Sequence, residues 1–188
     1  MKKYNIDDIE NELKRETYKS KYNRILRSTI YGLIIVASIA TIIASLLMPV
    51  VEISGTSMSP ILNENEIVVS VKTKNIKKGD IIAFYHGNKI LIKRVIASAS
   101  DWVYIDNDGN VNVNGELLNE NYAQNKILGD SDVEFSLQVQ DNKWFVLSDK
   151  RDITIDSRNS EIGCISNDDV IGKIIFRVWP LKKIGSVN

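Results

Sequence analysis

Residues 28–51 read STIYGLIIVASIATIIASLLMPVV, 24 residues without a formal charge, which exceeds the roughly 20 that a helix needs to cross a bilayer. The run has no polar face. Ile30, Leu33, Ile34, Ile35, Ile39, Ile42, Ile43, Leu46 and Leu47 point all round a helix, which argues against the core helix of a soluble domain. A secretory signal has an apolar region of about 7–15 residues close to the N-terminus, whereas this run begins after 27 residues. Ser38-Ile39-Ala40 imitates a small-residue cleavage site but sits in the middle of the run. The reading is a retained single transmembrane helix.

Charge on either side of the run gives an orientation. Six Lys/Arg lie between Lys14 and Arg27, whereas residues 52–70 contain none. By the positive-inside rule the N-terminus is expected in the cytoplasm and the chain beyond about residue 52 outside the cell membrane. The zero net charge divides accordingly. Residues 1–51 carry eight Lys/Arg against five acids, +3, and residues 52–188 carry 16 against 19, −3. No basic stripe suggests nucleic acid as a partner. The domains are expected to be a cytoplasmic segment (1–27), the transmembrane helix (28–51) and an extracytoplasmic β-rich domain (52–188). Within the first, residues 5–24 mix charges with Ile6, Ile9 and Leu13 and suggest a short helix.

Beyond Pro49 the pattern changes to short β-type runs at 66–71, 80–85, 90–97, 102–105, 111–113, 133–139, 144–147 and 170–178. Turn signals such as His86-Gly87-Asn88, Asn107-Asp108-Gly109-Asn110 and Asn114-Gly115 separate them. Spacing of this kind predicts a mostly β fold, an antiparallel barrel or sandwich-like domain. One cysteine, Cys164, and one histidine, His86, exclude a disulfide framework and a Cys-rich zinc site and argue against Ser-His-Asp chemistry. Neither a metal nor a cofactor is expected. Cys164 reads as a small apolar packing residue and His86 as a hairpin-turn residue.

Three segments bear groups able to do chemistry. Ile53-Ser54-Gly55-Thr56-Ser57-Met58-Ser59-Pro60 is a small-residue turn in which glycine lets the backbone bend and expose a hydroxyl beside converging N–H groups; an ordinary loop has the same composition. On the strand 90–97, alternation puts Lys93 on one face with Leu91 and Val95, and Arg94 on the other with Ile92 and Ile96. One of these two basic residues must occupy a covered face. A desolvated lysine has a depressed pKa and serves as a general base, while an edge lysine that blunts aggregation fits the same pattern. The third segment, residues 149–158, alternates charge densely. Asp156 and Arg158, two apart, share a face of an extended segment and can pair there.

Taken in order, these segments resemble the bacterial type I signal peptidases, membrane-anchored proteases with a Ser-Lys dyad. Gly55-Thr56-Ser57-Met58-Ser59-Pro60-Ile61-Leu62 resembles the family's G-x-S-M-x-P-T-L box. Residues 78–84 are similar to its G-D-I-V-x-F strand and Ile92-Lys93-Arg94-Val95-Ile96 to its K-R-V-I box. Val113-Asn114-Gly115 and Asn121-Tyr122 match its VNG and Y elements. Residues 148–158 are similar to G-D-N-x-x-x-S-x-D-S-R, and Phe176-Arg177-Val178-Trp179-Pro180-Leu181 to the closing F-R-x-W-P-L. The chain departs at Ile61 for Thr, Ser148 for Gly, Lys150 for Asn and Ala97-Ser98-Ala99-Ser100-Asp101 for G-x-P-G-D. Gly55 brings no hydroxyl two residues before Ser57.

The resemblance implies Ser57 as nucleophile, Lys93 as general base and then general acid, and the Ser57 N–H as part of the oxyanion hole. It implies Thr154 as a hydrogen-bonding partner of the lysine, and Asp149, Asp156 and Arg158 as bracing residues. It also implies secreted preproteins as substrates, with small residues at −3 and −1 entering shallow pockets walled by Ile53 and Ile92, and a β domain resting on membrane lipid. Two other readings share parts of this pattern. One is a self-cleaving Ser-Lys repressor-type protease, against which the membrane anchor argues. The other is a catalytically impaired anchored module that binds or presents preproteins or pilin-like subunits.

Overall fold

The computed structural model describes residues 6–129, 131, 136–153 and 155–187. The chain divides into two compact units, one ending at Leu46 and the other beginning at Leu47.

The first unit is a helix, α1 (Ile6–Leu47), of 42 residues. The short helix expected over 5–24 and the apolar span are one uninterrupted helix, because residues 24–28 contain no proline or glycine to break the hydrogen-bond ladder. The helix stops at Leu47 rather than running to residue 51. Met48 precedes Pro49 and is biased away from helical backbone, and Val50–Glu52 instead pairs as strand β1. The apolar part of α1 is long enough to cross a membrane, with a mean hydropathy of 2.4 over its most apolar window, and none of that window is buried.

The second unit contains β2 (Ile67–Val71), β3 (Ile81–His86), β4 (Lys89–Ser98), β5 (Trp102–Ile105), β6 (Val111–Val113), β7 (Glu116–Leu117), β8 (Leu137–Gln138), β9 (Lys143–Leu147), β10 (Ile165–Ser166), β11 (Val170–Trp179) and β12 (Gly185–Ser186). They form two antiparallel sheets. The larger runs β1-β2-β11-β3-β4-β9-β10 with β12 on β11, and the smaller runs β7-β6-β5-β8. Neither closes on itself, so of the two expected forms the sandwich-like one is found. The expected strand at 133–139 is represented by β8, and residues 132–135 lie outside the described residues.

Local chemistry sets the turns. Asn114 and Gly115 both have positive φ, 55° and 83°, the backbone that a two-residue hairpin turn with the correct twist requires. Gly172 sits where β11 crosses β2 so closely that a Cβ would meet the Val71 carbonyl oxygen at 2.7 Å. One apolar cluster, including Ile96, Val103, Val111, Val113, Phe145 and Leu147, joins β4 and β9 of the larger sheet to β5 and β6 of the smaller. A second gathers Ile53, Met58, Leu62, Val68, Ile81 and Ala83, and a third Ile82, Phe84, Val95 and Val146.

The turn from β4 to β5 is held by a carboxylate. Asp101 accepts from the Ser98 N–H (2.7 Å), Ser98 Oγ (2.8 Å), Lys78 Nζ (2.9 Å) and Asn114 Nδ2 (2.7 Å). Burial alone would raise its pKa, but these donors outweigh burial and hold it at about 2, below its ordinary 3.8. A depressed carboxylate stabilises the fold above its unfolded pKa, and that contribution fades as pH falls through the folded value. Asp101→Asn is therefore expected to lower unfolding stability by about 2 kcal/mol at pH 7. In urea titrations the gap to the parent should narrow between pH 4 and pH 2.

Candidate active site

Gly55, at φ 85°, turns the chain after Ile53, and two hydrogen bonds tighten the segment from Thr56 to Leu62: Ser59 N–H to Thr56 O at 3.1 Å and Leu62 N–H to Met58 O at 2.9 Å. Met58 and Leu62 are buried in the second apolar cluster. With Met58 pinned inward, Ser57 stays half-buried. Its carbonyl accepts the Lys150 N–H at 3.0 Å, which fastens the turn to the segment after β9.

Lys93, in the middle of β4, reaches this turn and donates from Nζ to Ser57 Oγ at 2.9 Å. It is only 2% exposed. Burial pushes its pKa down from 10.5 to about 8; Asp156 and Asp149 pull it up, and Arg158 pushes it further down. An amine with a pKa of about 8 has a substantial neutral fraction near physiological pH, and a neutral amine accepts the proton of a hydroxyl within hydrogen-bond reach. This pair can therefore perform nucleophilic attack assisted by a general base.

Strand alternation predicted one covered basic residue, whereas Lys93 and Arg94 are both buried. β4 is interior to its sheet, between β3 and β9, and apolar clusters cover both faces: Val95 and Leu91 belong with one, Ile92 and Ile96 with two others. Arg94 is partnered on several sides, although burial still pushes the pKa of its carboxylate partner Asp149 up. It makes a two-point pair with Asp149 at 2.8 and 2.7 Å, donates to Gly79 O at 2.7 Å, and lies 4.2 Å from the ring centre of Tyr122.

The segment after β9 is a turn stitched by ions. Asp156 and Arg158 do pair, at 2.9 and 2.8 Å, but across a turn rather than along an extended strand. Asp156 also accepts the Ser148 N–H at 2.9 Å, and Arg158 donates to the carbonyls of Arg151, Ile127 and Ile153. Burial would raise the Asp156 pKa, yet the Arg158 hydrogen bonds and charge hold it below the usual carboxylate value. Gln124 bridges Lys150 in parallel, with Gln124 N–H to Asp149 O and Arg151 N–H to Gln124 O both at 2.8 Å. Ser57, Lys150 and Gln124 are thus linked through backbone.

Asp149, Asp156 and Arg158 are buried members of ion pairs whose charges act on Lys93. Ile53 is buried in the cluster that holds Met58, and the half-buried Ile92 packs against that cluster. Thr154 lies outside the described residues. Sequence reading did not find Glu120, which is buried and pairs with Arg151. Nor did it find Glu66, to which Arg177 donates at 2.5 Å while also donating to Ile61 O at 3.2 Å, tying β11 to the Ser57 segment. Both partnerships span long sequence separations, and only the position of Arg177 in the closing box pointed toward one of them.

A family model described as signal peptidase, peptidase S26, matches residues 26–179. The chain belongs to this family. It is a serine endopeptidase of the signal peptidase I type. Signal peptidase IB of Staphylococcus aureus (strain COL) is 35% identical over 153 residues, covering 70% of this chain and 78% of that protein. Signal peptidase I of Bacillus amyloliquefaciens is 30% identical over 183 residues, covering 92% and 98%. The crystal structure of a signal peptidase I from Enterococcus faecalis V583 is 29% identical, covers 54% of this chain and 98% of that one, and has a TM-score of 0.42.

Proposed function

We propose that this signal peptidase removes N-terminal signal peptides from secreted preproteins with a Ser57–Lys93 dyad, at the outer face of the cytoplasmic membrane. The observation that carries the reading is the 2.9 Å hydrogen bond from a buried Lys93 Nζ to Ser57 Oγ, since a dyad needs both reach and a lysine that loses its proton readily. Lys93 takes the Ser57 proton as Oγ attacks the scissile carbonyl, then returns it to the leaving amine; water hydrolyses the acyl-enzyme by the same base. The Ser57 N–H serves the oxyanion. Asp149, Asp156 and Arg158 brace the lysine, and Thr154 adds a hydroxyl to it.

The apolar part of α1 anchors the enzyme in lipid. The basic residues 14–27 keep residues 1–27 cytoplasmic and the domain from 52 onward extracytoplasmic. Ile53 and Ile92 wall shallow pockets that admit small residues at −3 and −1. The test is cleavage of a preprotein with an A-x-A site by the full chain in detergent. A single cut after the second Ala is expected, and Ala→Phe at −1 should suppress it. Equal cleavage of both substrates refutes the pocket reading.

A further inference from the structure

Among the described residues, Ser57 Oγ is the hydrogen-bond partner of Lys93 Nζ, yet a protonated lysine carries three donors. Once Ser57 has given up its proton and its oxygen is bonded to the scissile carbon in the tetrahedral intermediate, the ammonium sits in a buried site and needs another acceptor until it protonates the leaving amine.

The strand register points to where that acceptor lies. β4 and β9 pair with Val95 opposite Val146 and Arg94 opposite Leu147, so one further step sets Lys93 across from Ser148. Opposite residues of an antiparallel pair project from the same face with Cβ atoms roughly 4.5–5.5 Å apart. On its other side Lys93 pairs with Ile82, which is fully buried and offers no acceptor. Ser148 is fully buried, and its backbone is fixed at both ends: its N–H donates to Asp156 Oδ2 and its carbonyl accepts Arg151 Nε at 2.8 Å. Its Oγ has no hydrogen-bond partner. A buried hydroxyl in that state is costly.

We infer that the Ser148 hydroxyl receives an N–H of Lys93 when the lysine is protonated, which makes Ser148 a positioning residue for the general base. The inference rests on the Ser57–Lys93 reading. Ser57 and Thr154, the hydroxyls already assigned to this lysine, account for two of its three donors, and the carboxylates around it are committed elsewhere. Asp156 is held by Arg158 and the Ser148 N–H, and Asp149 by Arg94. Asp156 and Asp149 favour the ammonium and Arg158 opposes it, acting as charges at a distance.

The experiment is the pH profile of kcat/KM for preprotein cleavage by the full chain, comparing the parent with Ser148→Ala and Ser148→Gly. Both variants remove the hydroxyl and differ in volume. Each is expected to lower the plateau by about threefold to tenfold and to move the acid limb down by about half a unit to one unit, because the charged lysine loses an acceptor. The thermal midpoint of Ser148→Ala should be unchanged or raised, since an unsatisfied buried group is deleted. A parental acid limb in both variants overturns the inference, as does a lowered thermal midpoint accompanied by a parental limb. Failure of the underlying dyad is seen separately, as cleavage retained by Lys93→Met.

Discussion

Lys93→Met is expected to reduce preprotein cleavage by roughly 10²–10⁴-fold, the range that loss of a positioned general base produces, and Ser57→Ala by at least as much. The double variant should be no slower than the slower single one, because two groups that act as a unit lose their contribution once. The loss is chemical and not structural. Lys93 is buried at the cost of its charge, with a pKa near 8 against 10.5 when free. Its folded pKa is lowered, so the unfolded chain binds more protons between pH 8 and 10.5. Stability therefore rises with pH through that window, and the penalty is fully present below it. Methionine, similar in length and uncharged, removes a penalty of about 3 kcal/mol at pH 7. The inactive Lys93→Met should unfold at a higher temperature than the parent. Undiminished cleavage by Lys93→Met and Ser57→Ala would end the dyad assignment.

In the parent, the acid limb of kcat/KM should fall near pH 8, since the free enzyme must hold Lys93 neutral to attack. A limb near pH 6 would point instead to a different titrating group.

The sequence made some of this legible for identifiable reasons. α1 and the longer strands β3, β4 and β11 follow from local patterns: uniform apolarity over a run too long for a core helix, and β-branched runs bounded by glycine and asparagine turns. The two-residue strands β7, β8, β10 and β12 are too short to carry a period and exist because a neighbouring strand recruits them. Ser57 and Lys93, 36 residues apart, were joined by the order of their boxes and not by any periodicity. Alternation failed at β4 because it assumes one wet face, and a strand between β3 and β9 has none. Glu120 and Glu66, the ionic partners of Arg151 and Arg177, were not legible, since an isolated glutamate reads as surface until burial is known.

That ionic scaffold carries the second large effect. Arg158→Met is expected to destabilise the β domain by about 3–5 kcal/mol, the usual cost of removing one partner of a buried ion pair, against a total of about 5–15 kcal/mol for a domain. Arg158 is 1% exposed and holds Asp156 at two points together with the carbonyls of Arg151, Ile127 and Ile153. Removing it leaves Asp156 buried without its counter-charge, held only by backbone N–H groups, while these carbonyls and that of Leu128 lose a donor. In the parent the pair holds the Asp156 pKa below its ordinary 3.8, so the pair's stabilisation is present above that value and lost as pH falls through the lower, folded one. In the variant only the N–H groups of residues 148 and 158 still oppose burial, so the Asp156 pKa rises and the carboxylate protonates more readily as pH drops. The stability gap between variant and parent, measured by urea unfolding, should therefore be widest near pH 7 and narrower at pH 4. Adding Asp156→Leu to Arg158→Met removes the orphaned charge and should recover part of the loss, because an apolar pair has no ion to desolvate. A single variant as stable as the parent at pH 7 would show that these bonds contribute little net energy. Activity should fall with stability in Arg158→Met: Asp156 accepts the N–H of Ser148, and the neighbouring Lys150 N–H holds the Ser57 carbonyl, so loosening this turn loosens the nucleophile.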